Sequence, residues 1–84
     1  MNATSAIAEV AAVARALAAL PSARGTAAEI VAASGLDAGM VGRRLRAGSL
    51  HGANNPKAFE SVRPGERPAT WALTRYGLEL AKGG

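Results

Sequence analysis

The amino-acid sequence predicts a mainly α-helical domain with one small β-hairpin, in which three helices precede a two-stranded hairpin and a short C-terminal helix follows it. Apolar residues recur every three or four positions over residues 5–20, which is the spacing of one helix face. Two helix-start signals flank Gly35, and two short alternating segments flank the turn dipeptide Pro64-Gly65. We expect residues 1–84 to form a single domain, because 84 residues leave no room for a second core.

The first predicted helix covers residues 5–20 and ends before Pro21. Its inward positions are expected to be Ile7, Val10, Val13 or Ala14, Leu17 and Leu20. Alanine fills most other positions, so the helix has a second smooth face, including Ala11 and Ala18, that suits contact with another chain. The alternative is that these alanines only favour helix formation.

The second and third helices are predicted from their ends. Thr26 and Glu29 have the spacing of a capping box, which starts the second helix after a short loop at residues 22–25. Gly35 can adopt the left-handed conformation that ends it. Asp37 is the predicted cap of the third helix, which covers residues 37–47 and ends at Gly48.

The third helix has one apolar face and one basic face. Val41 and Leu45 define its inward side, and Leu36 is expected to pack at the turn that precedes it. The outward side is expected to carry Gly39, Met40, Gly42, Arg43 and Arg46, with Arg44 at the flank. Arginines beside very small residues suit a helix that lies in the major groove of DNA, because arginine pairs with O6 and N7 of guanine.

The remainder of the chain predicts a hairpin and a last helix. Residues 49–57 look irregular, and the two strands are predicted at Ala58–Val62 and Ala69–Leu73. Trp71 is expected to anchor the hairpin in the core, with Phe59 and Tyr76 as the other core aromatics. The last helix is predicted from Thr74 through Lys82, with Leu78 and Ala81 facing inward.

Two segments resemble parts of known DNA-binding proteins. Residues 26–45, Thr-Ala-Ala-Glu-Ile-Val-Ala-Ala-Ser-Gly-Leu-Asp-Ala-Gly-Met-Val-Gly-Arg-Arg-Leu, resemble the helix–turn–helix of bacterial and archaeal winged-helix regulators, with Gly35 at the turn. Residues 71–80, Trp-Ala-Leu-Thr-Arg-Tyr-Gly-Leu-Glu-Leu, resemble the second wing strand and closing helix of MarR-like and ArsR-like proteins. The resemblance implies a winged helix–turn–helix fold whose third helix enters the major groove and whose hairpin is the wing.

The charge distribution points to a polyanionic partner. The net charge is +4, and residues 43–75 hold seven basic side chains against two acidic ones. The alternative is a solvated basic face that only keeps the protein soluble. The residues expected to contact DNA are Gly39, Met40, Gly42, Arg43, Arg44 and Arg46 on the third helix, together with Lys57, Arg63, Arg67 and Arg75.

Several other function classes find no support in the sequence. The chain has no cysteine, which excludes disulfides and thiol chemistry and fits a reducing cytoplasm. The single histidine, His51, has no potential metal ligand beside it, and no catalytic triad, phosphate-binding glycine loop or carboxylate pair is present. We therefore expect no enzymatic activity, cofactor or metal. A signal peptide and a membrane span are not expected either, because Glu9 and Arg15 interrupt the apolar N-terminal segment.

The sequence thus predicts a sequence-specific binder of double-stranded DNA, acting as a transcriptional repressor or a regulator of a mobile element. Helix 37–47 would read the major groove, and the hairpin tip at residues 63–67 would contact the minor groove or phosphates. A homodimer through the N-terminal helix is expected, located in the cytoplasm and on the nucleoid when bound to DNA. The alternatives are a winged-helix protein–protein adaptor that does not bind DNA, and an RNA-binding protein.

Overall fold

The computed structural model of the chain describes residues 3–49 and 56–83. Within these ranges the protein is mainly helical, with a small three-stranded antiparallel sheet. The α-helices are α1 (Ala3–Ala18), α2 (Ala27–Ser34), α3 (Ala38–Gly48) and α4 (Arg75–Gly83), and a short 3-10 helix covers Pro21–Ala23. The strands are β1 (Arg24–Gly25), β2 (Phe59–Ser61) and β3 (Trp71–Leu73), in the spatial order β1-β3-β2.

Helix α1 is the centre of the core and contacts the other three α-helices. Val13, Ala14 and Leu17 are fully buried, as the helical spacing predicts. The helix ends at Ala18 and not at Leu20, because a residue that precedes proline is held in an extended conformation (φ −76°, ψ 156° at Leu20). The predicted end of this helix was therefore two residues too late.

Two side-chain assignments on α1 were wrong. Ile7, predicted to face inward, is 58% exposed, whereas Ala11, predicted on the outward second face, is only 6% exposed. The burial of Ala11 follows from α4, which packs along α1 and places Glu79, Leu80 and Gly83 at the crevice that Ala11 lines. The prediction for Ala18 is confirmed, since this residue is exposed.

The local signals for α2 and α3 are confirmed. Thr26 Oγ1 accepts a hydrogen bond from the Glu29 N–H (3.2 Å), and Glu29 Oε1 accepts one from the Thr26 N–H (2.8 Å). Gly35 is in the left-handed region (φ 74°), and Asp37 Oδ2 accepts a hydrogen bond from the Met40 N–H (2.8 Å). These contacts satisfy backbone groups that helix ends leave without partners, so each helix begins where its cap predicts.

The sheet has one more strand than predicted. Residues 22–25, predicted to be a loop, form the end of the 3-10 helix and β1, which pairs with β3 through Arg24–Ala72 and Gly25–Trp71. The third strand satisfies the backbone edge that β3 would otherwise expose, a requirement that two residues of local sequence do not reveal. Gly25 is buried there, and a Cβ atom at this position would lie 2.5 Å from Leu20 Cδ1, so the Leu20 side chain would have to move.

The hairpin itself is confirmed, with shorter strands than predicted. β2 covers three residues and β3 covers three, although a hydrogen bond from the Val62 N–H to the Thr70 carbonyl (2.8 Å) continues the pairing beyond them. The tip turns at Gly65, whose φ of 86° belongs to the left-handed region. Phe59 is fully buried, whereas Trp71 is only partly buried and packs against the edge of the core.

Helix α4 begins at its predicted cap. Thr74 Oγ1 accepts a hydrogen bond from the Gly77 N–H (3.1 Å) and donates one to the Lys57 carbonyl (2.7 Å). Gly77 is buried, and a methyl group there would collide with the Ala58 carbonyl oxygen. The prediction that Leu78 faces inward was wrong, because this side chain is 41% exposed.

Tyr76, Leu80 and Ala81 are the residues of α4 that pack against the core, and the prediction for Ala81 is thereby confirmed. The predicted irregular segment 49–57 lies mostly outside the described residues, and so does His51. None of the helices in residues 3–49 and 56–83 is both long enough and apolar enough to span a bilayer.

Candidate nucleic-acid interface

Helix α3 is held in place by its apolar side. Val41 is fully buried and Leu45 is 1% exposed, so both predicted inward positions are confirmed. Arg43 and Arg46 are exposed. At about 100° per residue, Arg43 lies about 180° and Arg46 about 120° around the helix from the midpoint of Val41 and Leu45. Met40 and Gly42 were also predicted to face outward, but both are half-buried, and Met40 packs against the core.

The guanidinium groups of Arg43 and Arg46 lie over Gly39 and Gly42, respectively. A Cβ atom on Gly39 would be 3.4 Å from Arg43 Nη1, and one on Gly42 would be 3.4 Å from Arg46 Nη1. Each arginine therefore extends back along the helix toward the residue four positions earlier, which is the usual direction of helical side chains. A glycine inside a helix costs about 1 kcal/mol relative to alanine, so both positions lower the stability of α3.

Arg44 has a partner within the protein. Its Nε donates to Glu9 Oε1 on α1 at 2.8 Å, and the two side chains are 22% and 39% exposed. A pair of this exposure contributes at most about 1 kcal/mol, but it joins the flank of α3 to the central helix. Among the residues predicted to contact DNA, Arg44 is thus the one whose guanidinium is already engaged in an interhelical ion pair.

The hairpin tip carries the next group of basic residues. Arg63 and Arg67 are exposed, and Arg63 Nη1 lies 3.5 Å from Glu66 Oε2. An exposed pair at this distance contributes little and does not prevent Arg63 from contacting another molecule. Both arginines and Trp71 line a shallow depression beside the tip.

The base of the hairpin is attached to the end of α3. The Ala58 N–H donates to the Gly48 carbonyl (2.7 Å), and the Phe59 ring lies so close to Gly48 that a Cβ atom there would be 2.6 Å from Phe59 Cδ2. A side chain at residue 48 would push the hairpin away from the helix. Gly48 therefore sets how the two candidate binding elements join.

Lys57 and Arg75, predicted separately, meet at the start of α4. Both line one open crevice, where Lys57 is half-buried and Arg75 is exposed. The Thr74 hydroxyl holds the backbone of Lys57 through the hydrogen bond to its carbonyl. The structure thus brings together two basic residues that are 18 positions apart in the chain.

Most acidic side chains in the described residues have structural partners. Glu29 and Asp37 accept backbone hydrogen bonds at helix starts, Glu9 pairs with Arg44, and Glu66 pairs with Arg63. In contrast, Arg43 and Arg46 have no salt-bridge partner among residues 3–49 and 56–83. The outward face of α3 therefore presents two guanidinium groups that form no salt bridge within the described part of the chain.

No protein-family model matches this chain, and it has no match among the curated proteins or the solved structures. Function must be inferred from its own residues.

Two contacts at the site were not predicted from the sequence. The Glu9–Arg44 pair joins residues 35 positions apart, and the only local signal for it was a lone acidic residue on an alanine-rich helix. The contact of Gly48 with Phe59 was also missed, because Gly48 was interpreted only as the end of a helix. Within the described residues, no group of three acidic or histidine side chains could hold a metal ion.

Proposed function

We propose that this chain is a sequence-specific double-stranded DNA-binding protein that acts as a repressor or as a regulator of a mobile element. The observation that carries the proposal is the outward face of α3, where two exposed arginines without salt-bridge partners among the described residues lie opposite the buried Val41 and Leu45. A helix fixed by one apolar face and basic on the other is suited to the major groove.

In this proposal the protein is a winged helix–turn–helix domain. Helices α2 and α3 with the left-handed Gly35 between them form the helix–turn–helix, and the hairpin β2–β3 forms the wing. The turn between these helices supports this interpretation, since α2 ends at the left-handed Gly35 and the Asp37 cap starts α3 two residues later. α3 reads bases, whereas the wing and the start of α4 contact the backbone through Arg63, Arg67, Lys57 and Arg75.

We also propose that two copies of the chain form a homodimer. Ile7 is a large apolar side chain that is 58% exposed, and it borders a mainly apolar groove of about 190 Å³ together with Val10, Tyr76 and Leu80. An isoleucine so exposed on the central helix is suited to insertion into the groove of another copy. A two-fold dimer would read two half-sites and gain affinity from both.

Fluorescence anisotropy with labelled duplexes tests the proposal. The purified protein should bind random duplex DNA at low salt. At physiological salt, it should bind a selected site at least about a thousandfold more tightly than random duplex DNA. Arg15→Ala provides a matched control for charge, because Arg15 is an exposed arginine on α1, outside the proposed surface.

The alternatives predict other results in the same experiment. A protein–protein adaptor would bind no duplex at any salt concentration, and an RNA-binding protein would prefer an RNA library over duplex DNA. Either result would reject the proposed function. Loss of binding in Arg43→Ala and Arg46→Ala, but not in Arg15→Ala, would support it.

A further inference from the structure

The described glycines differ in whether the fold requires them. A Cβ atom on Gly48 or Gly77 would collide with the Phe59 ring or the Ala58 backbone, and Gly35 and Gly65 have left-handed φ angles, so the fold requires these four glycines. A Cβ atom on Gly42 would meet only the guanidinium of Arg46, at 3.4 to 4.0 Å, which is ordinary contact with the end of a flexible side chain. Nothing in the described fold therefore requires Gly42.

Gly39 resembles Gly42 only in part. Its Cβ atom would meet Arg43 Nη1 at 3.4 Å, but it would also meet Asp37 Oδ2, the oxygen that caps α3, at 3.2 Å, so a side chain there would displace the cap by a few tenths of an ångström. Both glycines have ordinary helical φ angles, so backbone conformation does not require them either. What they share is their position four residues before an arginine on the outward face of α3.

We propose that Gly39, Gly42, Arg43 and Arg46 form one reading unit for two neighbouring G·C base pairs, and that the two glycines determine specificity by admitting the helix close to the base edges. This inference rests on the proposed function. In the complex, each arginine pairs with O6 and N7 of one guanine. In the free protein, the absence of side chains at residues 39 and 42 lets the guanidinium groups lie against the helix backbone.

The spacing of the two arginines fits neighbouring base pairs. Three residues of α-helix rise about 4.5 Å and turn about 300°, so Arg43 and Arg46 project from one face of α3. Successive base pairs are about 3.4 Å apart along the duplex. The arginine side chains have to make up a difference of about 1 Å for neighbouring base pairs, but about 2.3 Å if one base pair is skipped, so neighbouring pairs fit better.

Site selection from a random duplex library gives the first test. The wild-type protein should enrich sites that contain two neighbouring G·C pairs in each half-site. If the protein selects a defined site without neighbouring G·C pairs, the reading unit is wrong although DNA binding remains. If no duplex is bound at all, the proposed function itself fails, and this inference fails with it.

Removal of single acceptor atoms then assigns each contact. Replacing one guanine of the selected site by 7-deazaguanine deletes N7, and we expect wild-type affinity to fall about five- to tenfold at either position. One of these decreases should be absent in Arg43→Ala and the other in Arg46→Ala. Equal decreases in the wild type and in both variants would overturn the assignment.

Gly42→Ala tests the role of the glycines separately from the fold. The added methyl should raise the Tm by up to about 4–8 °C, because alanine favours the helix, and still weaken binding to the selected site about tenfold or more. Gly83→Ala is the matched control, since a Cβ atom there meets nothing within 4 Å. Full affinity for the selected site in Gly42→Ala would overturn the specificity role.

Discussion

At the scale of single residues, the three arginines of α3 have different surroundings although they lie within four positions. Arg44 is held by Glu9 at 2.8 Å, whereas Arg43 and Arg46 are exposed and lie over glycines. An arginine that already has a carboxylate partner gives up that partner if it is to bind DNA. We therefore assign base reading to Arg43 and Arg46 and a positioning role for α3 to Arg44.

Arg43→Ala and Arg46→Ala should each weaken binding to the selected site by about 1–3 kcal/mol, because each removes a bidentate hydrogen-bonded pair with guanine. Anisotropy titrations at one fixed salt concentration measure this decrease in affinity. Arg15→Ala carries the same change of charge and should bind nearly as tightly as the wild type. Unchanged affinity in both α3 variants would remove this helix from the interface.

The aromatic residue that matters most for stability is Phe59. It is fully buried against Gly48, whereas Trp71, the predicted anchor, is only partly buried. Phe59→Ala should cost about 3–5 kcal/mol, a large share of the total stability of a small domain. Trp71→Ala should cost less, because part of the indole is already in water. Thermal melts followed by circular dichroism compare the two variants, and a lower Tm for Trp71→Ala than for Phe59→Ala would contradict this ranking.

At the scale of elements, the hairpin and α3 are joined at one short junction, and we propose different roles for them: α3 reads bases, whereas the hairpin tip contacts the DNA backbone. The hydrogen bond from Ala58 to Gly48 places the start of β2 at the C-terminal end of α3, and Gly65 turns the tip beyond it. The tip carries Arg63 and Arg67, which the proposal places at phosphates or in the minor groove, where base pairs present few distinguishing groups. Its contribution should therefore be electrostatic.

Arg63→Ala and Arg67→Ala should weaken binding to all DNA sequences to a similar degree. Removing the charge that neutralises one phosphate should reduce the slope of log Kobs against log salt concentration by about 0.9. Titrations of a selected and a random duplex at four or more salt concentrations measure this slope. A changed base preference with an unchanged slope would show that the tip reads bases.

At the scale of the whole molecule, α1 links the proposed functions. Its buried side contributes Val13, Ala14 and Leu17 to the core, and Glu9 forms a salt bridge with Arg44 of α3. Ile7 borders the apolar groove beside α4. A dimer built on Ile7 would thus place the reading helices of two copies relative to each other through a single central helix. Ala11 is buried and does not line this groove.

Ile7→Glu should give a monomer that remains folded, because the side chain is already 58% exposed and a charge in the apolar groove of a partner is costly. Sedimentation equilibrium at micromolar concentrations measures the mass, and a melt checks the fold. Leu78→Glu is the control, since Leu78 is exposed and does not line the groove. A wild-type protein that sediments as a monomer and selects a single asymmetric site would contradict the dimer.

The sequence by itself determined the features that depend on neighbouring residues. The capping box of Thr26 and Glu29, the Asp37 and Thr74 caps and the turn at Gly35 were all predicted and are all present. Such hydrogen bonds join residues within about four positions, so their geometry follows from the local sequence. The buried side of α3 was predictable for a similar reason, because Val41 and Leu45 are its large apolar residues after the first turn.

Only the tertiary structure decided which side of α1 is covered and how remote elements pair. An alanine-rich helix offers several nearly equivalent faces, and the packing of α4 along α1 covers Ala11, whereas Ile7 remains exposed. The pairing of β1 with β3 and the Glu9–Arg44 ion pair join segments that are 35 or more positions apart. Interactions at such separations depend on the arrangement of whole elements, and local spacing in the sequence does not specify that arrangement.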